Sequence, residues 1–466
     1  MICKKCTNCG LCPGASGGEV DFRIVVSGEE IQDYAQVHNE FSDVKSFVPV
    51  GIALDLGTTT LAFAAYNLQN GRRLFFIGQP NSQRVFGADV ISRICAASNS
   101  DGFKNLHNLI CSQINSLVTQ CFDLISLKFN KSCVLKKLFI CGNTTMLNIL
   151  CNIPVTGLAV YPFYAECNFG KKFNYYEIIG KNFYVKDDFE FYVPPVLSAF
   201  IGADFLCAVT YGRKLNSQKS FYLCDMGTNS EIGYFDSTVK KVIASSTSAG
   251  PCFEGANMEC GSTAVPHAVS YIGVNENKSC FTKTLGGGEA ESICGSGYLS
   301  ALENFYKHGL VDENANIVSG KDEIFISFSY GKNRRLSVTQ KDIRNLQLAK
   351  GAVESGIKFL INKYGKKSES GEIGEDRLKL YMAGGFGSSI QESSLFTLGV
   401  VPHFFSGKIS MQGNMALKGL VELLFNDEFY SLLIETAQNS RCINLAEEEG
   451  YQDLFLNCLN FPPLIK

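Results

Sequence analysis

Two short stretches, Asp55-Leu56-Gly57-Thr58-Thr59-Thr60 and Asp225-Met226-Gly227-Thr228-Asn229, repeat one arrangement: a carboxylate, one spacer, a glycine, then hydroxyl or amide donors. The chemistry open to such a set is narrow. The glycine lets the chain turn sharply with its N–H groups bare, and phosphate oxygens are natural acceptors for those groups and the neighbouring side chains. The carboxylate suits a hydrated Mg²⁺, which takes one or two protein oxygens and keeps waters and phosphate oxygens for the rest. A single copy would be an ordinary turn, because Asp and Gly are common turn residues. Two copies point to a nucleotide site split between two parts of the chain. Asp55 and Asp225 are therefore the candidate catalytic residues, and Gly57, Thr58, Thr59, Thr60, Gly227, Thr228 and Asn229 are candidates for binding phosphates.

A second concentration of reactive side chains opens the chain, where Cys3, Cys6, Cys9 and Cys12 fall at three-residue intervals. So short a segment has no core for thiols to fill, so the spacing points to a metal centre. The C-x2-C-x2-C portion with a later Cys-Pro is close to the ferredoxin run for a [4Fe–4S] cluster, except that the last spacing is two residues instead of three. An iron–sulfur cluster is favoured, [4Fe–4S] ahead of [2Fe–2S]. Zinc is the rival, since four cysteines can close a tetrahedral site, although zinc ligand pairs are normally separated by a longer loop. The remaining cysteines are scattered from Cys95 to Cys458 and read as small core residues.

These groups need elements to hold them. The apolar runs Val48–Leu54 and Phe221–Cys224 read as buried strands ending at the two carboxylates. A third strand-to-glycine junction follows at Leu380-Tyr381-Met382-Ala383-Gly384-Gly385-Phe386-Gly387, and a strand with a capped helix is expected at Leu138–Met146. Helices are expected over residues 196–209, linking two halves, over 342–359, and over 413–424 as a closing element. Cys294-Gly295-Ser296-Gly297 stands at a helix start, so Gly295 and Gly297 are either nucleotide contacts or part of an ordinary loop.

With 466 residues the chain exceeds one core, and 45% apolar content is ample for two or three domains. We expect a cysteine segment at 1–14, a linker at 15–47, a first domain at 48–212 and a second at 213–466, whose closing helices can return to the first. A net charge of −3 without long runs of one sign calls for neither nucleic acid nor a membrane surface. No apolar signal is seen at the start, so the cytoplasm is expected. The uncharged stretch 138–165 is broken by Asn, Thr and Pro and is no membrane span.

The order of the three strand-turn junctions resembles that of the actin, sugar kinase and heat-shock chaperone superfamily, over roughly Val48 to Leu424. The resemblance implies an α/β fold of two ribonuclease H-like domains that close on ATP and Mg²⁺. It puts Asp55 and Asp225 on the metal or the attacking water, Thr58, Thr59, Thr228 and Asn229 on phosphates, and Gly384, Gly385 and Gly387 at the adenosine. A narrower likeness rests on Phe86-Gly-Ala-Asp-Val-Ile-Ser-Arg93, Gly142-Asn-Thr-Thr-Met146, Gly202-Ala-Asp204, Ile293-Cys-Gly-Ser-Gly297 and Gln340–Lys350. These resemble the ATP-dependent reductive activators of corrinoid proteins. That family implies an iron–sulfur centre passing an electron to a cob(II)alamin protein, with ATP driving the uphill step to cob(I)alamin. The partners implied are a corrinoid or other metalloprotein, an upstream electron donor and, at most, a second copy of the chain. Many relatives carry a plant-type [2Fe–2S] domain where this chain has its four-cysteine segment. Cys294-Gly-Ser-Gly297 is also similar to the cluster-ligating stretch of dehydratase activators, but no second ligand accompanies Cys294, which reads as structural. The alternatives within the superfamily are a small-molecule kinase and an ATP-switched scaffold, either with a structural zinc tail.

Overall fold

The computed structural model describes residues 47–129, 132–182, 184–185, 189–329, 334–365, 378–384 and 390–464. Cys3, Cys6, Cys9, Cys12, Gly385 and Gly387 lie outside the described residues.

Two six-stranded sheets carry the architecture. The first comprises β1 (Phe47–Leu56), β2 (Thr60–Asn67), β3 (Arg73–Pro80), β4 (Ser132–Gly142), β5 (Lys171–Lys172) and β6 (Glu190–Val193), in the order β3-β2-β1-β4-β6-β5. The second half opens with β7 (Phe221–Asp225), β8 (Ser230–Asp236) and β9 (Lys241–Thr247). A small sheet of β10 (Ala268–Val274), β11 (Cys280–Thr284) and β12 (Ser292–Ile293) follows, then the hairpin β13 (Glu323–Ser329) and β14 (Arg334–Thr339). Finally β15 (Lys379–Ala383), β16 (Ile409–Gly413) and β17 (Ser440–Cys442) complete the second large sheet, ordered β16-β15-β7-β8-β9-β17.

The two sheets share a plan. In each, the first three strands form an antiparallel meander, while the first strand also pairs in parallel with a later one, β1 with β4 and β7 with β15. Asp55 and Asp225 thus occupy equivalent carboxyl ends of central strands, beside the point where strand order reverses, which is where open α/β sheets bind ligands.

Strand periodicity sorts the side chains between two cores. Phe221 and Leu223 of β7 pack in one core while Tyr222 and Cys224 pack in the other, and Tyr381 alternates with Leu380 and Met382 on β15 in the same way. The first core spans both halves. It takes in β1, β4, the helix Ala203–Leu215 and the late helix Met415–Phe425, which packs Met415, Leu420 and Leu424 with Val50 and Ile52. Lys137 Nζ of β4 donates to the Leu424 carbonyl at 2.8 Å.

The linking helix begins at Ala203, later than the 196–209 expected, because Leu197 and Ser198 donate their N–H groups to the Ile201 carbonyl in a tight bend. It runs to Leu215, so the expected boundary at 212–213 falls within it. The helix expected at 342–359 is longer, Gln340–Tyr364, because Thr339 and Asp342 form a capping box at its start. No helix among the described residues is long and apolar enough to cross a membrane.

Candidate active site

The carboxyl ends of β1 and β7 face one cleft of about 220 Å³. Asp55, Gly57, Thr58, Thr59 and Thr60 line it from one half, and Asp225, Gly227, Thr228 and Asn229 from the other. Gly384 lines it as well, at the end of β15. Its φ of 96° lies in the left-handed region, and a Cβ there would stand 2.3 Å from the Met226 carbonyl, so only glycine fits this junction.

The first loop is held from behind by its carbonyls. Asn81 donates from its backbone to the Thr59 carbonyl and from its side chain to the Gly57 carbonyl, both at 2.9 Å. The Arg93 guanidinium donates to the Thr58 carbonyl and, at 3.1 Å, to that of Gly87. Asn143 caps the helix Thr144–Leu150 through the Met146 N–H and donates to the Thr58 hydroxyl at 2.8 Å. A turn pinned this way keeps its shape without a ligand, so little ordering would accompany the binding of an anion.

This geometry has recognisable relatives. Residues 219–464 match the family described as the C-terminal domain of RACo, the ASKHA domain, and residues 50–216 match the RACo middle region. The chain belongs to the RACo family. It is similar to a solved structure titled reductive activator for corrinoid, iron-sulfur protein, with a TM-score of 0.77 and 26% identity over 90% of this chain and 67% of that one. The corrinoid activation enzyme RamQ of Eubacterium limosum is 26% identical over 454 residues, covering 93% of this chain and 73% of the relative. The Co(II) methylated amine-specific corrinoid protein reductase of Methanosarcina barkeri is 25% identical over 445 residues, or 88% of this chain and 77% of that protein. The two-domain ASKHA fold expected from the three junctions is the fold of this RACo-family chain.

The RACo-family cleft gathers several acidic side chains. Enclosure at the cleft floor pushes Asp55 up to about 6, against hydrogen bonds from Asn414 and Cys141 that pull it back. Asp225 is raised to about 7 by desolvation and then by the charge of Asp55. Asp204 reaches about 8 for the same two reasons in the same order. Glu231, directly opposite Asp225 in the β7–β8 register, is also pushed well up by desolvation and by Asp204 and Asp225. Gathering such groups is unfavourable unless positive charge joins them. Among the described residues no three His, Cys, Asp or Glu side chains are close enough to enclose a bare ion. Carboxylates spread this way, beside hydroxyls and loop amides, suit an Mg²⁺ that keeps waters and phosphate oxygens.

Asp204, Glu231, Glu254 and Asn414 are among the cleft residues that escaped the sequence reading as site residues. Gly202-Ala-Asp204 is visible as family wording but carries no role by itself. Its placement comes from Gly202, where a Cβ would stand 2.4 Å from the Gly142 carbonyl, so the helix start presses against the Asn143 turn. Gly295 and Gly297, in contrast, stand outside the cleft lining. A Cβ on Gly295 would lie 1.7 Å from the Phe253 carbonyl, and one on Gly297 2.2 Å from that of Val269. Their smallness serves close backbone packing. Cys294 is buried, and its thiol donates to the Val269 carbonyl at 3.3 Å.

Proposed function

We propose that this chain is an ATP-dependent reductive activator that returns a corrinoid protein from cob(II)alamin to cob(I)alamin. Support comes from one pairing: a split carboxylate-and-hydroxyl cleft on an ASKHA body, in a chain similar over 93% of its length to a corrinoid activation enzyme. Cys3, Cys6, Cys9 and Cys12 are the proposed ligands of an iron–sulfur centre, [4Fe–4S] ahead of [2Fe–2S], replenished by an upstream low-potential donor. The transfer is one electron per cobalt, with no atom exchanged. An uphill gap of about 100 mV corresponds to about 2.3 kcal/mol per electron, within reach of ATP turnover. The free thiols in the body fit a reducing cytoplasm.

Asp55 and Asp225 are the proposed holders of Mg²⁺, which when bound neutralises phosphate charge. Thr58, Thr60, Gly227 and Asn229 orient the phosphates, whereas Thr59 and Thr228, expected there too, hydrogen-bond Glu254; Gly384 with Gly385 and Gly387 admits the adenosine. Hydrolysis then relaxes closure of the two halves and so changes what the partner meets.

The test is anaerobic. Iron, sulfide and zinc are measured with electron paramagnetic resonance on wild type and on a Cys3→Ser/Cys6→Ser double variant, and cobalt reduction in a corrinoid protein is followed by absorbance with and without ATP. Iron and sulfide lost in the variant, together with ATP-dependent cob(I)alamin formation by wild type, are expected. Zinc in place of iron would remove the electron-donor reading, and reduction indifferent to ATP would remove the coupling to ATP.

A further inference from the structure

The residue that joins the two phosphate loops is Glu254. It ends the short turn Pro251–Glu254, bracketed by Gly250 at φ 75° and Gly255 at φ 74°. The turn is wedged from behind, since Cβ atoms on Gly255 and Gly295 would lie 2.2 Å from the Ser262 carbonyl and 1.7 Å from that of Phe253. From there the side chain reaches the cleft. Its Oε1 accepts from the Thr228 N–H at 3.1 Å and the Thr228 hydroxyl at 3.2 Å, and the carboxylate also accepts from the Thr59 hydroxyl. Thr59 and Thr228 belong to opposite halves, so Glu254 sits where the two loops meet.

Three neutral donors hold this carboxylate, which is only 9% exposed, and among the described residues no cation pairs with it. A buried structural carboxylate normally has a cationic partner. With no cation to hold it charged, burial keeps this carboxylate basic against the pull of its three donors, and the donors fix its aim, as a general base requires. Asp55 is differently committed, accepting from Asn414 at 2.6 Å. The Thr228 N–H has a single proton and gives it to Glu254, so it holds this carboxylate instead of a phosphate.

We propose that Glu254 orients and deprotonates the water that attacks the terminal phosphate. The water oxygen bonds to the γ-phosphorus, its proton passes to the Glu254 carboxylate and then to solvent, and the bond to the bridging oxygen breaks to release ADP and phosphate. No electron changes hands in this step. The inference rests on the ATP-binding reading above and goes beyond it in assigning the base.

The test compares wild type with Glu254→Gln and Glu254→Ala. For Glu254→Gln, calorimetry should give an MgATP Kd within about threefold of wild type, while turnover falls at least about 100-fold, the usual scale for a lost general base. Amide hydrogen exchange at Thr228 without nucleotide should speed up in Glu254→Ala, which has no acceptor, and stay near wild type in Glu254→Gln. Turnover within tenfold of wild type in Glu254→Gln overturns the inference, as does at least tenfold tighter ATP binding with full turnover, which would mark Glu254 as a competing anion. Wild type that binds no ATP would sink the nucleotide reading and this inference together; wild type that hydrolyses beside an equally active Glu254→Gln sinks this inference alone.

Discussion

The side-chain amide of Asn414 donates to a carboxylate oxygen of Asp55 at 2.6 Å, across 359 positions of chain. The other end of the same side chain accepts from the Leu417 N–H at 2.7 Å and caps the helix Met415–Phe425. One residue therefore fixes both the start of the closing helix and the orientation of a candidate metal ligand. Asn414→Ala should destabilise the protein by about 1 kcal/mol through the lost cap and weaken MgATP about tenfold by freeing Asp55. Calorimetry and denaturant titration on the same preparation check both numbers. Unchanged MgATP affinity would mean the contact is structural only.

The raised carboxylates make stability depend on pH in a definite direction. Asp55, Asp225 and Asp204 stand at about 6, 7 and 8 in the folded chain, against 3.8 for an ordinary aspartate. Between about pH 4 and pH 8 the native state binds more protons than the unfolded one, so metal-free stability falls as pH rises through that window. Each carboxylate still meets cleft water, so a contribution of about 1 kcal/mol per group is a fair scale. Thermal unfolding of metal-free protein at pH 5.5 and 8 should show a lower midpoint at the higher pH, and Asp204→Asn should flatten the trend. A midpoint difference equal in wild type and variant would count against it.

Arg93 is fully buried, and besides donating to Gln83 and the Met146 sulfur it donates to the carbonyls of Thr58 and Gly87. Arg93→Met keeps the apolar stem but strands both acceptors, a loss of about 2–4 kcal/mol. Arg93→Lys should rescue little, because a point ammonium cannot reproduce the fork of donors. Denaturant midpoints for the pair decide; near-wild-type stability in Arg93→Lys would show that charge alone suffices.

Gly295→Ala separates packing from ligand contact. The added methyl would start 1.7 Å from the Phe253 carbonyl, so the turn carrying Glu254 must shift, at about 1–3 kcal/mol. Stability and ATP turnover should both fall, with MgATP binding less affected. A binding defect with unchanged stability would instead return Gly295 to the nucleotide.

Local features can be read from the chain: apolar runs long enough for strands, a carboxylate and glycine closing each, and donors in the turn that follows. These rest on backbone conformation and neighbours within about six residues, so Asp55, Asp225 and their loops were legible, as was the glycine needed at 384. Which other groups meet them depends on how the elements pair and pack. Asp204 arrives on the first turn of a helix, Glu231 on the strand paired opposite Asp225, Glu254 on a turn beyond β9, and Asn414 at the head of a helix that crosses back to the first half. Gly295 stays open in the sequence for the same reason, because a glycine at a helix start looks alike whether it admits a phosphate or another stretch of backbone. Spacing along a chain encodes torsion angles and alternation, whereas the convergence of these side chains on one cleft depends on strand register and on how sheets and helices pack, which no local pattern records.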